Sequence, residues 1–199
     1  MKVVAENLGK RFNREWVFRN LNYEFNSGNC YVITGPNGSG KSTLMQVLWG
    51  QMQPSVGSVK YSVPDPSEIF KSVAIATPYM DLIEEFNLEE MINFHFKFKK
   101  CRIPVEEVLR KSELESSRLK SISSFSSGMR QRLKLALAFY SGCQLLFLDE
   151  PCTNLDKKSI EWYHSNLSRV PRETLVFIAS NQEIEYPATA AKIDILAYK

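Results

Sequence analysis

Long apolar runs are absent from this sequence of 199 residues. A membrane-spanning helix needs about 20 consecutive, mostly apolar residues, whereas the richest run, 133–148, is interrupted by Lys134, Gly142 and Gln144. The N-terminus is charged and lacks the apolar core of a secretory signal peptide. We therefore expect no direct insertion into a membrane.

Net charge and paired cysteines are also scarce. The 25 basic and 22 acidic residues leave a net charge of +3, which gives no electrostatic reason to expect a nucleic-acid partner. The four cysteines show no metal-site spacing, so we expect reduced thiols in a cytoplasmic protein. A hydrophobic content of 44% in a chain of this length predicts one globular domain, with or without an inserted subdomain.

Glycines are few, but three of the nine fall in one stretch, which reads Gly35-Pro36-Asn37-Gly38-Ser39-Gly40-Lys41-Ser42-Thr43. An apolar run at 30–34 precedes it and predicts a buried strand, and the amphipathic pattern at 44–49 predicts a helix after it. Strand, glycine loop and helix in this order are the context of a phosphate-binding P-loop. A glycine-rich turn with a chance lysine is the alternative, and the matching flanks argue against it.

The residue types in this loop are those that bind the phosphates of a nucleoside triphosphate. Glycines let several backbone N–H groups converge on one anion, and the helix N-terminus adds partial positive charge. The ammonium of Lys41 can reach the β- and γ-phosphates, and the Ser42 hydroxyl can bind Mg²⁺.

A second, mostly apolar run at 144–148 is followed directly by Asp149 and Glu150. An aspartate at the end of a strand beside a P-loop can hold Mg²⁺, directly or through water. The adjacent glutamate can orient and polarise an attacking water. Acidic residues also end strands by chance, but the P-loop upstream favours the functional interpretation.

The remaining pattern predicts an α/β protein. Alternating residues around 3–7 and 21–25 predict two antiparallel strands before the P-loop strand, with Phe12 and Trp16 between them. Two interpretations of these aromatic rings remain open: one of them stacks on a nucleotide base, or both only cover the small sheet. Further strands are expected at 59–63, 72–76, 174–181 and 193–198, with a loop at Pro64-Asp65-Pro66.

Residues 80–140 predict a mainly helical subdomain inserted into the α/β core. Acidic residues come first and lysines last between Asp81 and Lys100, as suits a helix dipole, and 101–122 reads as further helix. His95, a lone histidine in the helix expected between Asp81 and Lys100, is expected to pack against neighbouring side chains rather than to bind a metal. A further helix is expected at 129–140.

The segment Phe125 to Arg132 has small residues, Ser126, Ser127 and Gly128, where that helix starts. Its serines and Gly128 either expose N–H groups and a hydroxyl to a phosphate, or simply cap the following helix. Spacing alone favours the cap.

Together these motifs resemble the ATP-binding subunit of an ABC transporter, from about Val3 to Tyr198. The resemblance implies one ABC-type ATP-binding domain over 1–199, with a P-loop NTPase core on a parallel sheet, an N-terminal antiparallel β subdomain and the helical subdomain at 80–140. It implies ATP and Mg²⁺ as cofactors and a head-to-tail homodimer, in which each ATP lies between the P-loop of one subunit and the signature segment, 125–132, of the other.

The resemblance also assigns roles. Gly35 to Thr43 would bind the phosphates, with Lys41 also catalytic, and Asp149 and Ser42 would hold Mg²⁺. Glu150 would be the catalytic carboxylate. Phe12 would stack on the base, with Trp16 as second choice, while Ser126 and Gly128 would meet the γ-phosphate of the partner's ATP and 154–156 would cross the dimer.

Three positions depart from the family pattern. The signature keeps its serine and second glycine but reads Phe125-Ser126-Ser127-Gly128-Met129. Tyr79 stands where a glutamine is usual. Asn181 replaces the histidine after the last core strand, so it accepts or donates a hydrogen bond but carries no charge. It keeps its place among the expected catalytic residues.

The function implied is an ATPase that drives a separate integral membrane permease from the cytoplasmic face, with the helix at 85–100 as docking surface. One alternative is a nucleotide-gated dimerising module with little or no hydrolysis. A DNA-repair or translation ATPase would need a coiled-coil insertion or a second ATPase half, and this sequence contains neither.

Overall fold

The computed structural model describes residues 1–62 and 66–199 of the chain. Within them the strands are β1 (Lys2–Phe12), β2 (Glu15–Asn26), β3 (Cys30–Thr34), β4 (Val56–Tyr61), β5 (Val73–Ala76), β6 (Leu145–Asp149), β7 (Leu175–Ala179) and β8 (Ala191–Asp194). The α-helices are α1 (Lys41–Leu48), α2 (Leu88–Phe98), α3 (Val105–Lys111), α4 (Ser127–Tyr140) and α5 (Lys157–Leu167).

The strands form two sheets. An antiparallel sheet has the order β2-β1-β4, and a parallel sheet has the order β5-β6-β7-β3-β8. The predicted fold class, a P-loop core with an N-terminal antiparallel sheet and a helical insert, is confirmed. The strand predicted at 59–63 is present as β4 up to Tyr61, while Val63, Pro64 and Asp65 lie outside the described residues.

The parallel sheet is covered on both faces. Phe147 and Phe177 stack with centroids 4.7 Å apart on the face that packs against α1 and the antiparallel sheet. Leu146 and Leu148 point into the opposite core, which the helices α2, α3, α4 and α5 complete. Burial on both faces explains why these strands read as continuous apolar runs rather than as alternating ones.

The helices between 80 and 122 are shorter than the sequence predicts, whereas α4 begins two residues before the predicted start at 129. The helix expected to start near Asp81 begins at Leu88, because Asn87 forms a capping box with Glu90. The segment 101–122 is helical only over α3, followed by short 3₁₀ turns at Glu115–Ser117 and Ile122–Ser124. The bounds 80–140 of the helical insert, and 1–199 as a single domain, stay predictions.

The C-terminal strand begins and ends earlier than the predicted 193–198. Strand β8 covers Ala191–Asp194, and Ile195–Tyr198 forms a 3₁₀ turn whose start Asp194 caps through the backbone N–H of Leu196. His95 is half-buried and lies 3.0 Å from the Ser141 hydroxyl, as its predicted packing role requires.

Candidate active site at the carboxyl edge of the parallel sheet

Three neighbouring strands bring the predicted site residues to one edge. Asp149 at the end of β6 pairs with Ala179 of β7, and Ala179 in turn pairs with Ile33 of β3. The backbone N–H of Glu150 donates to the Ala179 carbonyl over 2.9 Å. Because parallel strands end at the same side of a sheet, the P-loop, the two acidic residues and Asn181 meet there.

The P-loop has the backbone that an anion-binding loop needs. Its three glycines have positive φ angles, of 141° at Gly35, 75° at Gly38 and 108° at Gly40, which few other residues tolerate. A Cβ at Gly40 would lie 2.2 Å from Cγ1 of Val17 on β2, so that approach also requires glycine. Helix α1 begins directly afterwards, with its first N–H groups facing the loop.

Two side chains inside the P-loop can donate hydrogen bonds to a polyanion. The Ser39 hydroxyl is buried and has no hydrogen-bond partner among the described residues. The Lys41 ammonium is also buried and donates to the carbonyls of Gly35 at 2.8 Å and Pro36 at 3.3 Å. An unsatisfied hydroxyl and a cation enclosed by one loop fit phosphate oxygens.

Asp149 and Ser42 lie together, although they are far apart in the sequence. Asp149 is 2% exposed, and the Ser42 hydroxyl lies close enough to its carboxylate to lower the pKa of that group. Burial raises the pKa of Asp149, with a further rise from the charge of Glu150, while Ser42 and Lys41 act in the opposite direction.

This pair fits Mg²⁺ by its chemistry. Hydroxyl and carboxylate oxygens are ligands that Mg²⁺ prefers, and the ion usually takes only one or two of them together with substrate phosphates. No cluster of three or more histidines, cysteines or acidic residues suited to a metal occurs in 1–62 or 66–199. A pair consisting of one hydroxyl and one carboxylate suits a metal shared with a nucleotide rather than one held by protein alone.

Glu150 follows Asp149 in a left-handed backbone conformation, with a φ of 45°. This is unusual for a residue with a side chain and is found mainly where the surroundings enforce it, often at functional sites. The side chain is half-buried at the edge of the sheet.

The loop after Glu150 is held by hydrogen bonds that sequence reasoning missed. The Pro151 carbonyl accepts from Nε2 of Gln131 on α4 at 2.9 Å. The Cys152 N–H donates to Oε1 of Glu185 at the same distance. A single glutamine or glutamate without periodicity gives no sequence signal for such a contact.

The signature segment packs on the same loop. Ser126 caps α4, since its hydroxyl accepts from the Met129 N–H at 3.2 Å, so the capping alternative is confirmed. A Cβ at Gly128 would lie 2.9 Å from the carbonyl of Asn154, which explains the glycine. Contact of Ser126 and Gly128 with a partner's γ-phosphate stays a prediction.

Asn181 contacts the P-loop directly. Its Oδ1 accepts from the Gly35 N–H at 3.2 Å, and its Nδ2 donates to Oδ1 of Asn37 at 3.1 Å. The strand β7 thus places this amide against the loop that would carry the phosphates.

A sequence model of the ABC transporter family matches residues 18–153, which span the P-loop, the signature segment and both acidic residues. The chain belongs to the ABC transporter family. It is 28% identical over 184 residues to the uncharacterized ABC transporter ATP-binding protein YybJ of Bacillus subtilis, covering 90% of this chain and 84% of that protein.

Other comparisons agree with this family. The Nod factor export ATP-binding protein I of Rhizobium johnstonii is 31% identical over 158 residues, covering 75% of this chain and 51% of the relative, so the chain spans about half of that protein's length. A putative ABC transporter ATP-binding protein from Pyrococcus furiosus shares the fold, with a TM-score of 0.85 at 17% identity and coverage of 100% and 99%.

Two predicted features of this ABC transporter chain lie at the surface. Phe12 ends β1 and is 47% exposed, with the Lys10 ammonium 5.2 Å from its ring centroid. Trp16, the second choice, is half-buried, and the Arg11 guanidinium lies 5.5 Å from its ring. Base stacking by either ring stays a prediction.

Tyr79, in place of the family's glutamine, is 79% exposed in the loop after β5. The Lys134 ammonium fixes this loop by donating to the carbonyls of Thr77 at 3.3 Å and Pro78 at 2.9 Å. A groove of about 650 Å³ runs from Asp149 past Tyr79 to α2. No helix among the described residues is long and apolar enough to cross a membrane.

Proposed function

We propose that this chain binds ATP with Mg²⁺, hydrolyses it, and thereby powers a separate membrane permease from the cytoplasmic face. The observation that carries the proposal is the meeting of Lys41, Ser42, Asp149 and Glu150 at one edge of the sheet. These are the cation, the metal ligands and the carboxylate that phosphoryl transfer to water uses.

Each group has a separate task. The P-loop N–H groups and Lys41 hold the β- and γ-phosphates in position, and Mg²⁺, when bound beside Ser42 and Asp149, neutralises charge on the phosphate oxygens. The Glu150 carboxylate orients and polarises the attacking water. Phe12 carries the base, with Trp16 as the second candidate.

Assembly completes the site. In the proposed head-to-tail homodimer, Ser126 and Gly128 of one subunit approach the ATP on the P-loop of the other. Both residues support this role by position, since Ser126 is exposed at the N-terminus of α4 and Gly128 is half-exposed beside it.

The groove between α1, β5 and α2 suits a permease segment. It is lined mainly by apolar side chains, and the exposed aromatic residues Phe70 and Tyr79 are among them. Exposed apolar patches of this kind commonly mark protein contacts. The docking surface is therefore proposed at this groove and α2, which is shorter than the expected helix at 85–100.

The test is Glu150→Gln in the isolated chain. We expect ATP with Mg²⁺ to bind with wild-type affinity in titration calorimetry, whereas phosphate release falls roughly 10²–10⁴-fold because the general base is lost. The uncleaved ATP should hold the variant as a dimer in light scattering. Glu173→Gln, at an exposed position outside the site, is the matched control.

Hydrolysis by Glu150→Gln at the wild-type rate would show that Glu150 is not the catalytic carboxylate. Wild-type protein that binds ATP and dimerises but releases no phosphate would favour the nucleotide-gated module instead. A variant with bound ATP that stays monomeric would contradict the proposed assembly.

A further inference from the structure

Glu185 is a carboxyl group without accessible surface, in the 3₁₀ turn Glu183–Glu185 behind the site. Its Oε1 accepts from the Cys152 N–H at 2.9 Å. Its Oε2 has no hydrogen-bond partner among the described residues, and Glu185 takes part in none of the ion pairs identified there. A buried acid without a cation is costly, so its presence calls for a physical reason.

The turn that carries Glu185 is itself fixed. The Tyr163 hydroxyl donates to the Glu185 carbonyl at 2.7 Å, and the Glu185 N–H donates to the Gln182 carbonyl at 3.0 Å. The Gln182 N–H donates to the Ser180 hydroxyl at 2.9 Å. Glu185 therefore presents its carboxyl to Cys152 from a rigid support that begins at the end of β7.

The surroundings favour the uncharged form of this side chain. Burial raises the pKa of Glu185, and the negative charges of Glu150 and Asp149 raise it further, while the nearby Ser180 hydroxyl and the Cys152 N–H lower it. A neutral acid still offers a carbonyl oxygen as acceptor. A leucine would fill the same space without the desolvation cost, but it would leave the Cys152 N–H unpaired next to the site.

We propose that Glu185 is a positioning residue for Glu150, acting together with Gln131, an inference that rests on the proposed hydrolysis. Gln131 donates to the Pro151 carbonyl and Glu185 accepts from the Cys152 N–H, so each of the two residues directly after Glu150 is held by a buried side chain from a distant part of the chain. A left-handed backbone such as that of Glu150 persists only where neighbouring contacts enforce it.

The experiment compares Glu185→Gln with Glu185→Leu in single-turnover hydrolysis at saturating ATP. Glutamine keeps a neutral acceptor oxygen, so the hydrolysis rate of Glu185→Gln should stay within about twofold of the wild-type rate. Leucine removes the acceptor, so Glu185→Leu should lower the rate on the order of 10²-fold because the Glu150 carboxylate is displaced. The ATP dissociation constant should change little in either variant. Glu183→Gln, two residues away and paired with Lys192 at the surface, is the control.

Gln131→Met is the second variant, and it stays informative if Glu185→Leu does not fold. It removes the hydrogen bond to Pro151 and should lower the hydrolysis rate without lowering ATP affinity. Wild-type rates in the leucine and methionine variants, or a loss of ATP affinity that matches the loss of rate, would overturn the inference. Wild-type protein that binds ATP but releases no phosphate would overturn the proposed hydrolysis. Active wild-type protein with equally active variants would overturn only the positioning role of Glu185, so the two failures are distinguishable.

Discussion

At the scale of single residues, Asn181 holds the P-loop in a way that its sequence position does not reveal. One amide group accepts from the Gly35 N–H and donates to Asn37 at the same time. A histidine here, as the family pattern has it, would add an imidazolium charge near the γ-phosphate. Asparagine supplies only neutral hydrogen bonds, so in the proposed hydrolysis it would stabilise the developing charge on the phosphate less than a charged histidine would.

Asn181→His should therefore raise the single-turnover hydrolysis rate. A charge-assisted contact made in the transition state is typically worth about 10²–10³ in rate, while ATP affinity, which the P-loop dominates, should change little. Rapid-quench measurement of phosphate release with saturating ATP checks this, with Asn93→His on the exposed face of α2 as control. An unchanged rate in a wild type that already turns over at about 1–10 s⁻¹, typical of enzymes, would contradict it.

At the scale of secondary-structure elements, helix α2 shows why its start was predicted too early. The acidic residues from Asp81 onward suit a helix N-terminus, but the chain has a better cap at Asn87. Its side chain accepts from the Glu90 N–H at 2.9 Å, and the Glu90 carboxylate accepts from the Asn87 N–H at 2.8 Å. Two otherwise unpaired donors are satisfied at once, and Asp81 to Phe86 are free to connect β5 to the helix.

Asn87→Ala should destabilise the protein by about 1 kcal/mol, since the side-chain cap is lost. Urea denaturation followed by circular dichroism measures this as a lower midpoint with an unchanged slope. Asn93→Ala is the matched control, because the same substitution on the exposed face of the same helix removes no cap and should be neutral or slightly stabilising. Equal midpoints for the two variants would show that the cap contributes nothing.

At the scale of the whole molecule, covering both faces of the parallel sheet buries carboxyl groups near its edge. Asp149 and Glu185 are both buried, and burial raises the pKa of each. Exposed or partly exposed acids elsewhere have lowered pKa values, Glu89 through hydrogen bonds from Arg118 and Asp156 through hydrogen bonds from Ser159. Stability therefore depends on pH through groups that act in opposite directions.

The contribution of Glu185 can be separated by Glu185→Gln. Because the pKa of Glu185 is raised in the folded state above its ordinary value of 4.5, the folded chain binds more protons than the unfolded chain between those two pKa values. Its contribution to stability is thus complete below about pH 4.5 and is lost as pH rises through the folded pKa. Glutamine does not titrate, so the variant should gain stability relative to wild type over that interval.

Urea titrations of both proteins from pH 4.5 to pH 8 measure this difference. The other carboxyl groups occur in both chains, and Asp149, Glu150, Cys152 and Tyr163, which interact electrostatically with Glu185, are unchanged. A stability difference that does not vary with pH would show that Glu185 is not perturbed by its burial.

The sequence by itself determined the fold class, the P-loop and the two acidic residues at the end of β6. These follow from local chemistry, since a phosphate loop needs glycines, lysine and serine at fixed spacing, and a strand covered on both faces needs an apolar run. The same local rules explain the N-cap at Asp156, whose carboxylate accepts from the Ser159 N–H.

Only the tertiary structure decided which distant groups meet. Ser42 lies beside Asp149, and Asn181 hydrogen-bonds to the Gly35 N–H. Glu185 and Gln131 hydrogen-bond to the loop after Glu150. Each of these contacts joins residues far apart in the chain. A single buried hydrogen bond leaves no periodic pattern in a sequence. It arises when the parallel register brings strand ends together, because only then does a particular amide or carboxyl group face its partner.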